Sequence, residues 1–211
     1  MNIDWRQTRL YQEQALSAEE MIGELRGSDP RPLLIIRPVD EKKDKQVFDL
    51  FQAAIKSERF QLASQWFHCI KLEEKNIEES IYRKLFDGRN PAHMILATWD
   101  GKYRVELLGT TSHKVTWKKI TSVLSKAYKQ SPDQAIKQLE KVLNTFDALD
   151  QRETELQAQR ARCDEKGKAS QVKKVDRQLA ELADDREEAL ELERDARELE
   201  LRRDDDAPSD D

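Results

Sequence analysis

Residues 89–109 have the sequence RNPAHMILATWDGKYRVELLG, and this stretch decides the fold. The pair Asp100-Gly101 lies between two apolar runs, Met94–Leu96 and Val105–Leu108. An Asp-Gly pair flanked in this way is the strongest short-range signal for a β-hairpin. Pro91 has no N–H to donate to a neighbouring strand and has a fixed φ, so we expect it to precede the first strand. The stretch therefore predicts two antiparallel strands.

Composition divides the chain into two regions. Hydrophobic and charged residues each make up 37% of the sequence, so a single core cannot enclose all of it. All four Trp and all four Tyr precede Ser131. Residues 1–130 carry 22 Lys+Arg against 18 Asp+Glu, whereas residues 131–211 carry 15 against 24. We therefore predict a globular domain at 1–130, a helical arm at 131–203 and a disordered acidic tail at 204–211.

Several classes of function are excluded by what the sequence contains. No apolar run approaches the ~20 residues that span a bilayer, and the N-terminus has no secretory h-region. Cys69 and Cys163 are too few and too distant for a disulfide framework, which favours a cytoplasmic protein. There is no glycine-rich phosphate loop and no basic stripe, so we expect no nucleic-acid partner and no cofactor. His93 and His113 have no partners at metal-ligand spacing, so we expect no metal.

The residues before the hairpin alternate between helical and strand patterns. Ser17 and Glu20 form a capping box for the first helix. Leu33–Ile36 is a short apolar run typical of a strand buried on both faces. The remaining predictions are a helix at 47–55, a strand at 66–72, a helix at 77–86 closed by Gly88, and a helix at 115–128. Because a helix joins the first two strands, they should be parallel, and the fold class is α/β with a mixed four-stranded sheet.

This order of elements resembles the thioredoxin superfamily. The matching pieces are Arg31–Ile36 for the strand that leads into the redox site, Trp66–Leu72 for the next parallel strand, and Asp100–Lys102 with Gly109 for the closing hairpin. The resemblance covers roughly residues 15–129 and implies a three-layer sandwich. It places Asn90-Pro91 where the family has its cis-proline.

The resemblance also implies where a redox site and a peptide groove would lie. The family's Cys-x-x-Cys position falls on Lys42, Lys43, Asp44 and Lys45, and no cysteine stands between Met1 and His68. Thiol–disulfide exchange requires a thiolate near a helix start, so we expect no dithiol oxidoreductase activity. The family binds extended peptide beside its cis-proline, which makes Asn90, Pro91 and Ala92 the implied partner-binding residues.

Two weaker candidates have alternative interpretations. Cys69 lies in the middle of a predicted buried strand, where it acts as a small hydrophobic residue or, in the alternative, as a reactive thiol. His68 should point to the opposite face of that strand, so the two are poorly placed for a Cys–His pair. The segment Lys42–Lys45 is either a solvated loop or an anion-binding helix start.

The arm shows a seven-residue apolar repeat typical of a coiled coil. Ser131 and Pro132 begin the first helix. The phase breaks at Lys166–Lys168, which favours an antiparallel helical hairpin over one long helix with a skip. The residues predicted to form its interface are Leu139, Val142, Phe146, Leu149, Leu156, Val172, Val175, Leu179 and Leu182.

Two hypotheses for function follow. The first is a non-enzymatic, redox-inactive protein-interaction and assembly module, whose arm packs on the domain, self-associates, binds another protein or is a solvated spacer. The alternative is a thiol-dependent redox sensor or peroxidase-like enzyme that acts through Cys69 or Cys163.

Overall fold

The computed structural model describes residues 3, 17–74, 77, 81–86 and 90–202. The chain forms two compact units. The first contains the residues up to Pro132 together with those from Leu199 onward, and the second contains Asp133–Glu198. No helix in the described part of the chain is both long and apolar enough to cross a membrane.

The first unit is built around a mixed four-stranded sheet, as predicted. Its strands are Leu33–Ile36 (β1), His68–Lys71 (β2), Met94–Ala97 (β3) and Arg104–Leu107 (β4). Their order in the sheet is β2-β1-β3-β4. β1 is parallel to β2 and antiparallel to β3, and β3 is antiparallel to β4. The predicted parallel pair and the predicted hairpin are both confirmed.

The turn of the hairpin has a local chemical cause. The Asp100 carboxylate accepts hydrogen bonds from the Thr98 hydroxyl at 2.6 Å and from the Lys102 N–H at 3.1 Å. Gly101 has a φ of 73°, a conformation that side chains disfavour. A Cβ at this glycine would also lie 3.5 Å from Ile22, so the turn packs closely on the first helix.

Helices precede and follow the strands. They are Ala18–Arg26 (α1), Lys45–Lys56 (α2), Glu58–Ser64 (α3), the short 3-10 helix Ile81–Phe86 and His113–Ala127 (α4). The capping box predicted for α1 is confirmed. The Ser17 hydroxyl accepts from the Glu20 N–H at 3.2 Å, and the Glu20 carboxylate accepts from the Ser17 N–H at 2.7 Å.

Three elements differ from the sequence prediction. α3 was not predicted, because its apolar residues fall within a single turn and show no helical period. The second strand begins at His68 rather than Trp66, because the N–H groups of Trp66 and Phe67 bond back to Ala63 and Ser64. The predicted helix at 77–86 is a 3-10 helix where it is described from Ile81, and its expected end at Gly88 lies outside the described residues.

Helices cover both faces of the sheet. Leu33 and Ile35 belong to a buried cluster with residues of α1 and the 3-10 helix. Leu34 and Ile36 are equally buried and point the other way, because side chains alternate along a strand. The buried residues of the other helices lie outside the first cluster and include Phe51, Ala54, Phe60, Leu62, Ile120, Val123 and Leu124.

The last described residues return to the first unit. The Arg202 N–H donates to the Ala127 carbonyl at 2.8 Å, and the Lys129 N–H donates to the Glu200 carbonyl at 2.9 Å. Tyr128 and Leu201 form an antiparallel bridge between these bonds. The sequence predicted a helical arm as far as residue 203, so it did not predict that the chain leaves the helix after Arg197 and returns to the first unit.

The second unit consists of two long helices, and the first of them begins at Pro132, the last residue of the first unit. These helices are Pro132–Glu165 (α5) and Ala169–Arg197 (α6). They are joined at Gly167, whose φ is 62°. The chain therefore breaks where the heptad phase breaks and does not continue as one helix.

The two helices run antiparallel. Near the turn, Arg160 of α5 bonds Asp176 of α6 at 2.6 Å. Farther from the turn, Glu153 accepts from Arg186 at 3.2 Å, and Asp150 accepts from the same guanidinium. The partners move away from the turn together on both helices, as an antiparallel pair requires.

Candidate binding site at the carboxyl end of β1

Hydrogen bonds extend the pairing of the sheet past the end of β1. Arg37 directly follows this strand, and its backbone N–H donates to the His93 carbonyl at 2.9 Å. The His93 N–H in turn donates to the Leu107 carbonyl at 2.9 Å. The end of β1, the start of β3 and the end of β4 therefore meet at one edge of the sheet.

The first turn of α2 reaches the same edge. A Cβ at Gly109 would lie 2.5 Å from the Val47 methyl and 3.5 Å from the His93 ring. Since no real side chain tolerates the first distance, glycine lets the chain after β4 pass against α2. Phe51, one turn further along α2, has its ring 6.1 Å from the His93 ring.

The segment predicted to replace the redox motif forms the start of α2. Asp44 is the N-cap, and its carboxylate accepts from the Val47 N–H at 3.0 Å. Lys43 pairs with Glu74 at 2.8 Å, and Lys45 pairs with Glu41 at 3.1 Å. The helix start is therefore capped by its own carboxylate, and two of its three lysines have acidic partners.

The implied partner-binding residues lie next to Arg37. The Arg37 Nη2 donates to the Pro91 carbonyl at 3.4 Å. Asn90 is exposed, Pro91 is half-buried and Ala92 is buried. No described peptide bond is cis, so the bond between Asn90 and Pro91 is trans. In this respect the chain differs from the cis-proline that the resemblance implied.

Arg37 is half-buried without an acidic partner among the described residues. Its guanidinium lies 5.9 Å from the centre of the Phe86 ring. Its Nε is buried and has no hydrogen-bond partner in the described part of the chain. Burial lowers the pKa of this guanidinium, and the charge of Glu74 only partly opposes the effect. An arginine held in this way still carries its charge but leaves a donor unsatisfied.

The hydrogen bonds of His93 fix its tautomer. Its Nδ1 lies 3.1 Å from the Gly109 backbone nitrogen, which is a donor, so Nδ1 must accept. The ring proton of the neutral imidazole is therefore on Nε2, which faces the Arg37 Nη2 at 3.4 Å. Burial, and secondly the charge of Arg37, lower the pKa of His93, while Asp44 acts in the opposite direction.

The pair Arg37 and His93 was not singled out from the sequence. His93 was considered only as a metal ligand and lacked partners at the right spacing. Arg37 is the first charged residue after four buried strand residues, and that position was the one available signal. The contact itself follows from the pairing of β1 with β3, which places Ile36 opposite Met94.

A second polar cluster stabilises the opposite end of β1. The Asp29 carboxylate bonds Arg31 at 2.7 Å and the His68 Nδ1 at 2.8 Å. Arg31 also donates to the Gln65 carbonyl at 3.1 Å. The hydrogen bonds from Arg31 hold the pKa of Asp29 well below its usual range. This cluster ties the loop before β1 to the start of β2.

Both cysteines are buried thiols. Cys69 is 5% exposed, and its S–H donates to the Ser64 carbonyl at 3.4 Å. Cys163 is 8% exposed, and its S–H donates to the Gln171 side-chain oxygen at 3.4 Å. Neither forms a disulfide. His68 is bonded to Asp29 and not to the neighbouring thiol.

Part of the predicted arm interface comes together between α5 and α6. Leu156, Val175 and Leu182 form a buried cluster against which Leu149 and Leu179 pack. Leu139 and Val142 are also buried, whereas Phe146 and Val172 are half-buried, and these four lie outside that cluster. The same seven-residue spacing continues along α6 to Ala189 and Ala196, which are buried.

Neither the search for metal-binding side chains nor the comparison with known proteins assigns a further site. The described residues contain no group of three or more His, Cys, Asp or Glu side chains that could hold a metal ion. Comparison with protein-family models, with curated proteins and with solved structures finds no match to this chain.

Proposed function

We propose that this chain is a non-enzymatic, thioredoxin-like protein-interaction and assembly module without dithiol oxidoreductase activity. The observation that carries the proposal is the start of α2. It lies at the sheet edge beside His93, the position where the resemblance puts a redox site, and it bears a capping aspartate and lysines instead of thiols. A lysine ammonium group cannot attack a disulfide.

The sheet supports the thioredoxin-like part of this proposal. The parallel pair β1 and β2 and the antiparallel hairpin β3 and β4 agree with the mixed four-stranded sheet that the resemblance implies. Helices on both faces agree with a sandwich of three layers. The trans bond before Pro91 is a departure from the cis-proline that the resemblance implies.

The exposure of Asn90 beside Pro91 supports the interaction part. Asn90 is exposed and makes no hydrogen bond to a described residue, so its backbone and side chain are open to a partner. Asn90, Pro91 and Ala92 remain the residues that we assign to partner binding. The helical hairpin supplies the assembly surface, because two helices bury one stripe but not a complete core. Neither cysteine forms a disulfide, which supports a cytoplasmic location for the proposed module.

The burial of both thiols weighs against the alternative of a thiol-dependent enzyme. A reactive cysteine needs an exposed, electropositive setting that stabilises the thiolate. Cys69 instead donates its proton to a main-chain carbonyl inside the core.

Photo-crosslinking of the full chain tests this proposal. The photoreactive amino acid p-benzoyl-phenylalanine replaces Asn90 in one protein and Lys118, an exposed residue of α4, in the matched control. After irradiation in extract of the source cells, we expect discrete protein adducts at position 90 that are missing at position 118. Equal labelling at both positions would count against a partner-binding groove.

A turnover assay tests the absence of redox activity in parallel. We expect no acceleration of insulin disulfide reduction by dithiothreitol. Acceleration that disappears in the Cys69→Ser, Cys163→Ser double variant would establish the thiol enzyme instead.

A further inference from the structure

We propose that Arg37 and His93 form an oxyanion-binding site whose ligand is a carboxylate carried by a protein partner that docks beside Pro91. This inference rests on the proposed function for the identity of the ligand. The site itself rests on the geometry of the two side chains.

Two hydrogen-bond donors face each other in this pair. His93 uses Nδ1 to accept from Gly109, so its Nε2 carries a proton. The Arg37 Nη2, 3.4 Å away, is also a hydrogen-bond donor and cannot accept. Two donors cannot bond each other, whereas one oxygen atom between them satisfies both. The arrangement thus selects an acceptor with concentrated negative charge.

The buried Nε of Arg37 points to the same class of ligand. Nε and Nη2 lie on one edge of the guanidinium, and that edge matches the two oxygens of a carboxylate. At present the edge has one long bond, from Nη2 to the Pro91 carbonyl at 3.4 Å, and Nε has no described partner. An unsatisfied buried donor costs free energy that a bound acceptor recovers.

The other arginines at the ends of this sheet contrast with Arg37. Arg31 bonds Asp29, and Arg104 bonds Glu106. The carboxylates that act electrostatically on the site are already engaged: Asp44 caps α2, and Glu74 pairs with Lys43. Within the described residues, Arg37 therefore has no carboxylate in contact with it, and it stays charged because the pKa of a guanidinium is so high.

Charge and access agree with an anion as ligand. The positive charge of Arg37 helps to keep His93 neutral, and a bound anion would cancel that effect. Arg37 and His93 are half-buried, so each side chain keeps some exposure to solvent. The charged groups that face it are Arg37 itself at the end of β1, Asp44 on α2 and Glu74. A bound carboxylate should therefore raise the pKa of His93.

The histidine ring is a direct reporter for the first experiment. The chain has only three histidines, so the Cε1–Hε1 signal of His93 in the full chain is assigned by a His93→Gln variant. We titrate pH with acetate or inorganic phosphate as probes. We expect either probe to raise the pKa of His93 by about 1 unit, as an adjacent opposite charge does, and to leave His68 and His113 unchanged.

Arg37→Gln is the decisive variant, and Lys118→Gln is the control with the same change of net charge. We expect Arg37→Gln to weaken acetate binding by about tenfold, the loss typical of a charge-assisted hydrogen bond. Lys118→Gln should bind acetate like the unaltered chain. The site would be overturned if neither probe raised the pKa of His93, or if the probes raised it equally in Arg37→Gln.

The two probes also separate the two sources of an oxyanion. Acetate binding at least as strong as phosphate binding supports a carboxylate ligand. Phosphate binding more than about tenfold tighter than acetate binding would overturn the carboxylate assignment in favour of a free phosphate ion.

Crosslinking at position 90 in the Arg37→Gln background separates this inference from the proposed function. Adducts that form at position 90 and decline about tenfold in Arg37→Gln support both. Adducts unchanged by Arg37→Gln overturn the carboxylate ligand and leave the interaction function standing. A third outcome is that no adducts form while acetate still raises the pKa of His93 in a way that depends on Arg37. The anion site then stands, but the partner and the proposed interaction function are overturned.

Discussion

Arg202 donates from its Nε to the Tyr128 carbonyl at 3.0 Å, across 74 residues of sequence. The chain therefore leaves the first unit after Pro132 and returns to it at Leu199, so that both ends of the helical hairpin are tethered to the same unit. While the first unit is folded, an unfolded arm held at both ends has less conformational freedom than a free extension, and this favours the folded hairpin.

Removal of the returning segment should destabilise the first unit. A chain that ends at Glu198 loses the two backbone bonds of residues 200 and 202 and the ion pair of Lys129 with Glu200 at 2.7 Å. We expect a loss of about 1–3 kcal/mol in the free energy of unfolding, at 0.5–1.5 kcal/mol for each backbone bond. Urea unfolding followed by tryptophan fluorescence measures it, since the described tryptophans, Trp66, Trp99 and Trp117, belong to this unit. A chain that ends at Arg202 keeps these contacts and is the control.

Asp29 should make folding sensitive to acid. The hydrogen bonds from Arg31 depress its pKa in the folded state. A carboxyl whose folded pKa is depressed stabilises the protein above its unfolded pKa, and that stability is lost as pH falls toward the folded pKa. We expect Asp29→Asn to cost about 1–3 kcal/mol at pH 7, because the Arg31 guanidinium loses its carboxylate acceptor. The cost should shrink below about pH 4, where the unfolded carboxyl is protonated.

Thermal melts of Asp29→Asn between pH 3 and pH 7 measure this effect. Asp49→Asn on α2 is the matched control. That carboxylate is 60% exposed, and its ion pair with Lys45 is long, at 3.7 Å, so its loss should cost little. A penalty that is the same at every pH would show that the substituted amide disturbs packing, not charge.

Gly109 should tolerate no side chain while Val47 is present. The Cβ of Gly109→Ala would lie 2.5 Å from the Val47 methyl, so one of the two chain segments must shift. We expect a destabilisation of about 1–3 kcal/mol, as for other overpacked sites. Val47→Ala in the same chain should recover most of it, which a double-mutant cycle of urea unfolding detects. Additive losses in the double variant would locate the strain elsewhere.

The sheet was predictable because its signals are local. Asp100-Gly101 marks the hairpin by itself, and the apolar run Leu33–Ile36 identifies the central strand. The pair Arg37 and His93 was not predictable, because 56 residues separate them and only the register of β1 with β3 brings them together. For the same reason the pattern of apolar residues did not reveal the return of Leu199–Arg202, which is held by an ion pair and by hydrogen bonds that each involve a main-chain group.

The arm shows a related contrast between what is local and what is not. Its break was predictable, because Gly167 falls where the heptad phase changes. The apolar register also contains two charged residues, Glu153 and Arg160. In the structure, Glu153 bonds Arg186, and Arg160 bonds Asp176, so each charged residue has its partner on the other helix. Those pairings depend on the length of the turn, which a heptad count does not give.

The hairpin should depend on Leu156 far more than on Leu190, although both are leucines in long helices. Leu156 is 1% exposed and packs with Val175 and Leu182, whereas Leu190 is 50% exposed. We expect Leu156→Ala to cost about 2–5 kcal/mol, the range for a buried leucine. Leu190→Ala should stay within about 0.5 kcal/mol, because leucine and alanine differ little in helix propensity. Far-ultraviolet circular dichroism during thermal unfolding of the full chain reports the helical unit, and equal losses in both variants would contradict the packing described for α5 and α6.

The thiols should be protected in the folded protein, which bears directly on the choice between an interaction module and a thiol enzyme. Cys69 and Cys163 are each less than a tenth exposed, and both donate their S–H to oxygen acceptors. We expect native protein to react with Ellman's reagent at least about tenfold more slowly than protein in urea, because only opened molecules expose the thiols. Single serine variants assign the rate to each position. Fast reaction of native Cys69 would require an opening of the core around β2. It would support the alternative function, a thiol-dependent mechanism at that residue.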